Sequence, residues 1–163
     1  MHKVLAIETS CDETSVAIVS NSGNTFKIHS NIIASQIEEH SKWGGVVPEL
    51  AARKHLESLP FVLDKALTES NTKIEEIDYI ASTVAPGLVG CLRVGSITAR
   101  TLCLLHSKPF LGIHHLEGHL SSILFSENYP KKSFLTLLVS GGHTELIMVD
   151  CLLYTSPSPR DRG

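Results

Sequence analysis

A chain of 163 residues can enclose one domain with a real core, and 42% hydrophobic against 19% charged residues is the balance of a soluble globular protein. No stretch approaches the roughly 18 consecutive apolar residues of a membrane span, and the apolar run from Val4 to Ile7 ends at Glu8, too short for a signal peptide. The composition therefore points to a cytoplasmic protein, and the net charge of −3 provides no general basic field for nucleic acid while leaving room for a local patch.

The β-branched run Val4 to Thr9 predicts a strand, and Thr14 to Val19 a second. The short polar link Ser10-Cys11-Asp12-Glu13 makes the pair a hairpin. A third strand, Phe26 to Ala34, follows the turn Asn21-Ser22-Gly23-Asn24, giving an N-terminal antiparallel meander. Gly44-Gly45 breaks the chain. Pro48 and Glu49 then suit the first turn of a helix whose apolar spacing runs from Leu50 through Leu67, with Pro60 expected to kink or split it.

Further along, Ile77 to Val84 reads as a strand closed by Pro86-Gly87. Leu92 to His106 reads as a helix buried on most sides, with Leu92, Ile97, Leu102, Cys103 and Leu105 as its inner face. A short strand Phe110 to His114, a helix Leu116 to Asn128, a strand Leu135 to Ser140 and a strand from His143 to Val149 complete the order, the last two forming a second hairpin. Strands first, then alternating helices and strands, predict a mixed α/β sheet flanked by helices.

The cysteines Cys11, Cys91, Cys103 and Cys151 form no C-x-x-C pair and fit neither a zinc ribbon nor a disulfide framework, which suits a reducing compartment. Cys91 and Cys103 lie among apolar residues and read as inert core. Residues 151–163 carry two Ser-Pro steps and no periodicity, and resemble the in-frame translation of a sequencing-library adaptor more than a natural tail.

Three segments are candidates for chemistry. In Glu8-Thr9-Ser10-Cys11-Asp12-Glu13-Thr14-Ser15, a strand, a tight turn and a return strand offer backbone N–H groups and hydroxyls to an anion; the plain alternative is an ordinary polar turn. In His115-Leu116-Glu117-Gly118-His119, two imidazoles at i and i+4 share one helical face and can share a metal, the alternative being one packed and one surface histidine. A zincin motif is ruled out because Leu116, not Glu, follows the first histidine, and His114 faces away from the pair. In Leu138-Val139-Ser140-Gly141-Gly142-His143-Thr144-Glu145, paired glycines after a strand let a ligand approach the backbone, or simply make a hairpin turn.

These motifs, with Gly44-Gly45-Val46-Val47-Pro48-Glu49-Leu50-Ala51 and Pro86-Gly87-Leu88-Val89-Gly90, stand in the order and spacing of one family. Residues 1 to about 150 resemble the TsaD family of tRNA threonylcarbamoyladenosine transferases, as its N-terminal part. The resemblance implies an actin-like, sugar-kinase-like α/β lobe of the ASKHA ATPase type, with the second lobe missing and residues 151–163 as a non-native tail.

It further implies transfer of a threonylcarbamoyl group from threonylcarbamoyl-adenylate to the exocyclic amine of the tRNA adenosine beside the anticodon. His115 and His119 would hold one iron, alternatively zinc. Leu138, Val139, Ser140, Gly141 and Gly142 would contact substrate, and Asp12 and Glu13 would act in the cleft near the adenylate phosphate. Partners implied are tRNA, a bacterial paralogue and a small ATPase, with no membrane. The family's third metal ligand, an Asp, lies in the second lobe, so the 163-residue chain is expected to be inactive alone. Two other readings stay open: a metalloprotease, and a non-catalytic scaffold module of the same complex.

Overall fold

The computed structural model describes residues 1–23, 25–126, 132–140, 143–150 and 153–155. The chain divides into two compact units, Met1–His115 and Leu116–Gly163.

The first unit opens with β1 (His2–Glu8), β2 (Glu13–Ser22) and β3 (Thr25–Ser35), the expected meander. A short helix α1 (Ile37–Ser41), not foreseen from the sequence, leads into α2 (Pro48–Glu69). There follow β4 (Tyr79–Ala85), α3 (Val89–His106) and β5 (Phe110–His114). The five strands form one sheet in the order β3-β2-β1-β4-β5, antiparallel among the first three and parallel where β1 meets β4 and β4 meets β5.

Period-two alternation decides which side of this sheet is covered. Leu5 and Ile7 of β1 stand opposite Ile18 and Val16 of β2, and all four are buried. Onto that face α2 packs over β2 and β3, while α3 packs over β1, β4 and β5. The helices contribute Leu59, Val62 and Ala66, then Val94, Ala99 and Cys103, to a single core with Ile77 and Ile80. Leu5, Ile18 and Ile80 expose no surface, and burying each contributes about 1.5–3 kcal/mol.

Of the kink or split expected at Pro60 the split does not occur, and α3 turns a different face inward. Pro60 neither splits nor ends α2, which continues from Pro48 to Glu69. Pro60 and Leu56 both lie on the exposed side of the helix, where water can satisfy the Leu56 carbonyl that the N–H of any other residue at position 60 would have bonded. The inner face of α3 is also different from the one read from the sequence. Cys91, Val94, Gly95, Ala99 and Cys103 are buried, while Ile97 is 60% and Leu105 is 72% exposed. The helix sits so close to β1 and β4 that small residues must face the sheet: a Cβ on Gly95 would lie 2.5 Å from Thr9 Oγ1 and 3.2 Å from Ser82 Oγ. Cys91 and Cys103 are core residues as expected, and burial pushes both thiols up in pKa.

The second unit contains most of α4 (His115–Ser121), a 3-10 turn at Ser122–Phe125, and the strands β6 (Phe134–Ser140), β7 (His143–Asp150) and β8 (Leu153–Thr155), which form an antiparallel sheet in that order. The predicted helix to Asn128 is shorter than expected: α-helix gives way to the 3-10 turn at Ser122, and Asn128 lies outside the described residues. Within the segment after residue 150, Leu153–Thr155 pairs antiparallel with β7.

Candidate functional site: an anchored anion turn

The link between β1 and β2 is held by its carbonyls. Ser10 C=O accepts from Leu88 N–H at 2.8 Å, and Asp12 C=O accepts from Gln36 N–H at 3.0 Å. Between them, Cys11 C=O accepts from His55 Nε2 at 3.0 Å. In a trans peptide the N–H points opposite to the C=O. The next amides in the chain, those of Cys11, Asp12 and Glu13, are therefore turned away from their three anchors. Backbone N–H groups left free of the framework in such a turn are available to an anion.

The anchors arise from the motifs around the turn. Gly87 brings the Pro86-Gly87-Leu88 segment against it, so closely that a Cβ there would lie 2.7 Å from Ser10 O and 2.8 Å from Ser10 Cβ. Thr9, 1% exposed, donates to Cys91 C=O at 2.8 Å and accepts from Gly95 N–H at 3.1 Å, fixing the base of the turn to α3. Asp12 is half-buried at the turn, and Glu13, the first residue of β2, is exposed. Cys11 is exposed, but partial desolvation, reinforced by Asp12, pushes its thiol up to about 11 and makes it a poor nucleophile.

Sequence reading missed Glu8 as a functional residue. Its carboxylate accepts from Ser10 N–H and from the Thr83 hydroxyl, and its Oε2 lies 3.4 Å from His115 Nδ1. Ser10 Oγ is 3.2 Å from the same nitrogen. Burial alone would raise the Glu8 pKa, but hydrogen bonds from Ser10 and Thr83, with His115 nearby, outweigh it and hold the carboxyl below the usual carboxylate range. The available signal was position: Glu8 ends the side of β1 that carries Val4 and Ala6, opposite the buried Leu5 and Ile7 side.

His115 is the last residue of the first unit, whereas His119 belongs to the second; both lie on α4. An imidazole whose Nδ1 is engaged by a carboxylate is the form in which histidine commonly binds a metal, through the other nitrogen. The donor chemistry at His115 thus fits a metal. Among the described residues no group of three or more His, Cys, Asp or Glu is placed to hold one. His114 is exposed at the end of β5. Of the predicted substrate loop, Leu138, Val139 and Ser140 lie in β6, and Val139 is 68% exposed. Gly141 and Gly142 lie outside the described residues.

Residues 27–156 match the family described as TsaD, tRNA N6-adenosine threonylcarbamoyltransferase. The chain belongs to this family. A Prochlorococcus marinus (strain MIT 9312) tRNA N6-adenosine threonylcarbamoyltransferase is 92% identical over 150 residues, which are 92% of this chain and 42% of that protein. The corresponding protein of strain NATL1A is 62% identical over the same share of each. The chain thus spans about two-fifths of the length of the curated TsaD relatives it matches.

Among solved structures, YeaZ from Pseudomonas aeruginosa shares the fold at TM-score 0.61 and 16% identity, covering 100% of this chain and 69% of that one. The Aquifex aeolicus PPX-GPPA enzyme does so at TM-score 0.55 and 13% identity, covering 96% and 51%. These likenesses give the TsaD chain the actin-like α/β fold expected of it.

Proposed function

We propose that this chain forms the N-terminal lobe of an enzyme that transfers a threonylcarbamoyl group from threonylcarbamoyl-adenylate to the exocyclic amine of the tRNA adenosine beside the anticodon. The observation that supports this reading is the turn at Ser10–Glu13, whose three carbonyls are tied back by Leu88, His55 and Gln36. Acyl transfer from a mixed anhydride leaves a phosphate. The Cys11, Asp12 and Glu13 N–H groups would hold that phosphate, and fixed donors need no reorganisation as its charge develops. Asp12 and Glu13 would order the polar edge of the phosphate site. Leu138 to Gly142 would contact the acyl group, and the attacking amine requires chiefly to be positioned.

His115 and His119 would be ligands of one iron, or alternatively zinc, whose chemistry when bound is to polarise the carbonyl or orient the donor. Glu8 and Ser10 would hold the His115 ring in the required orientation. A tRNA, a paralogue and a small ATPase are the proposed partners, in the cytoplasm. No helix among the described residues is long and apolar enough to cross a membrane.

The test uses a full-length protein made by joining residues 1–150 to the remainder of the strain MIT 9312 relative. Supplied with tRNA and the adenylate, it should modify the tRNA, detected by nucleoside mass analysis. A hybrid that folds and binds tRNA yet transfers nothing, while the relative does, refutes the reading and leaves the scaffold alternative.

A further inference from the structure

Behind the anion turn lies a buried polar chain that the transfer chemistry does not use. His55 is fully buried and His40 is 3% exposed. Their proton positions follow from their partners. A carbonyl only accepts, so His55 Nε2 carries the proton it donates to Cys11 O at 3.0 Å. His55 Nδ1 therefore accepts, from Thr14 Oγ1 at 2.7 Å and Gln36 Nε2 at 3.3 Å. The other end of that Gln36 amide accepts from His40 Nε2 at 3.0 Å. His40 Nδ1 accepts in turn from Val47 N–H at 3.3 Å. Every link runs in one direction, from the backbone just before α2 to the carbonyl of Cys11.

We propose that His55 is a positioning residue for phosphate binding, fixing the Cys11–Asp12 peptide so that Asp12 N–H is presented to the phosphate of a nucleoside monophosphate or adenylate. This rests on the reading of the turn as the phosphate-holding element. Gln36 and His40 hold His55 in the single tautomer that donates to Cys11. Burial lowers the His55 pKa, and the Cys11 carbonyl offsets that only in part. Released from His55, the peptide can rotate and turn a carbonyl oxygen toward the anion in place of an N–H.

Two polar substitutions separate this from simple packing. The amide nitrogen of Gln at position 55 reaches the place of Nε2 and can donate to Cys11, whereas that of Asn reaches only the place of Nδ1. In the full-length hybrid described above, AMP and adenosine affinities are measured by calorimetry for the unsubstituted protein, His55→Gln and His55→Asn. His55→Asn should bind AMP about tenfold more weakly, the scale of one lost hydrogen bond to a charged group. Adenosine affinity should stay within about twofold, and His55→Gln should retain AMP affinity within about threefold. Equal behaviour of the two variants, a parallel loss of adenosine binding, or loss of fold in His55→Asn would each overturn the proposal. If the unsubstituted hybrid binds AMP no better than adenosine, the phosphate reading of the turn itself fails, an outcome distinct from these.

Discussion

Gly95 is where the fit of α3 against the sheet can be measured. Replacing it with Ala is favoured by helix propensity, worth up to about 1 kcal/mol. Against this, the new Cβ would lie 2.5 Å from Thr9 Oγ1, 3.2 Å from Ser82 Oγ and 3.4 Å from Ile7 Cγ2. Thr9 cannot swing aside freely, because its hydroxyl bonds both Cys91 C=O and Gly95 N–H and it is 1% exposed. Overpacking a tight site costs about 1–3 kcal/mol, and weakening two net hydrogen bonds adds about 0.5–1.5 kcal/mol each. The expected balance for Gly95→Ala is a loss of about 2 kcal/mol, or about 4–8 °C in melting temperature for a chain of this size. Thermal and urea denaturation of wild type, Gly95→Ala, Thr9→Ala and the double variant checks this. Because Thr9→Ala removes the clashing oxygen, the double variant should be more stable than the sum of the singles predicts, by about 1 kcal/mol. A Gly95→Ala protein that melts at or above wild type would show that α3 can lift off β1 at no cost and would refute the close-packing argument.

Replacing both His115 and His119 by Ala in the full-length hybrid should abolish co-purified metal, measured by elemental analysis; unchanged content would remove the metal assignment. Burial holds the His55 pKa below the ordinary 6.5, so the unfolded chain takes up its proton first as pH falls, and the stability this gives above pH 6.5 is lost as pH drops through the folded pKa. The pH slope of unfolding free energy below about 6.5 should accordingly be shallower in His55→Gln than in wild type, and parallel slopes would contradict the assignment. Cys11, exposed but with its thiol raised to about 11, should alkylate slowly at pH 8, and Asp12→Asn should speed the reaction. The 163-residue chain alone, given tRNA and the adenylate, should transfer at least about tenfold more slowly than the hybrid, a difference of about 1.4 kcal/mol in barrier; a comparable rate would mean that the remaining length is dispensable.

The strands were legible because one face of the sheet is buried: Leu5 and Ile7 alternate with Val4, Ala6 and Glu8, and no other period fits. The face of α3 was not. Large apolar residues were assumed to point inward, whereas beside Val94 and the expected Cys103 the inner positions went to Cys91, Gly95 and Ala99, and Leu104 is left 83% exposed. Close approach selects for small volume, which a hydrophobicity pattern does not register. A split at Pro60 does not occur, because its consequence depends on whether Leu56 C=O meets water or core. At the candidate site, motifs singled out the turn and His115, but they gave Glu8 no role of its own and passed over Gln36, His40 and His55. Their roles depend on hydrogen bonds between residues far apart in sequence, such as Thr83 to Glu8 and His55 to Cys11, and no local spacing encodes those.

The three ties on Ser10, Cys11 and Asp12 come from the N-terminal approach to α3, from the middle of α2 and from the junction between β3 and α1. The isolated β1–β2 hairpin contains none of the three donors. Its amides acquire their orientation only when both helices have docked, however early the strands themselves pair. Phosphate protection of the turn amides in hydrogen exchange would therefore report completion of the first unit's fold rather than formation of the hairpin, and would vanish on any sub-global opening that releases either helix.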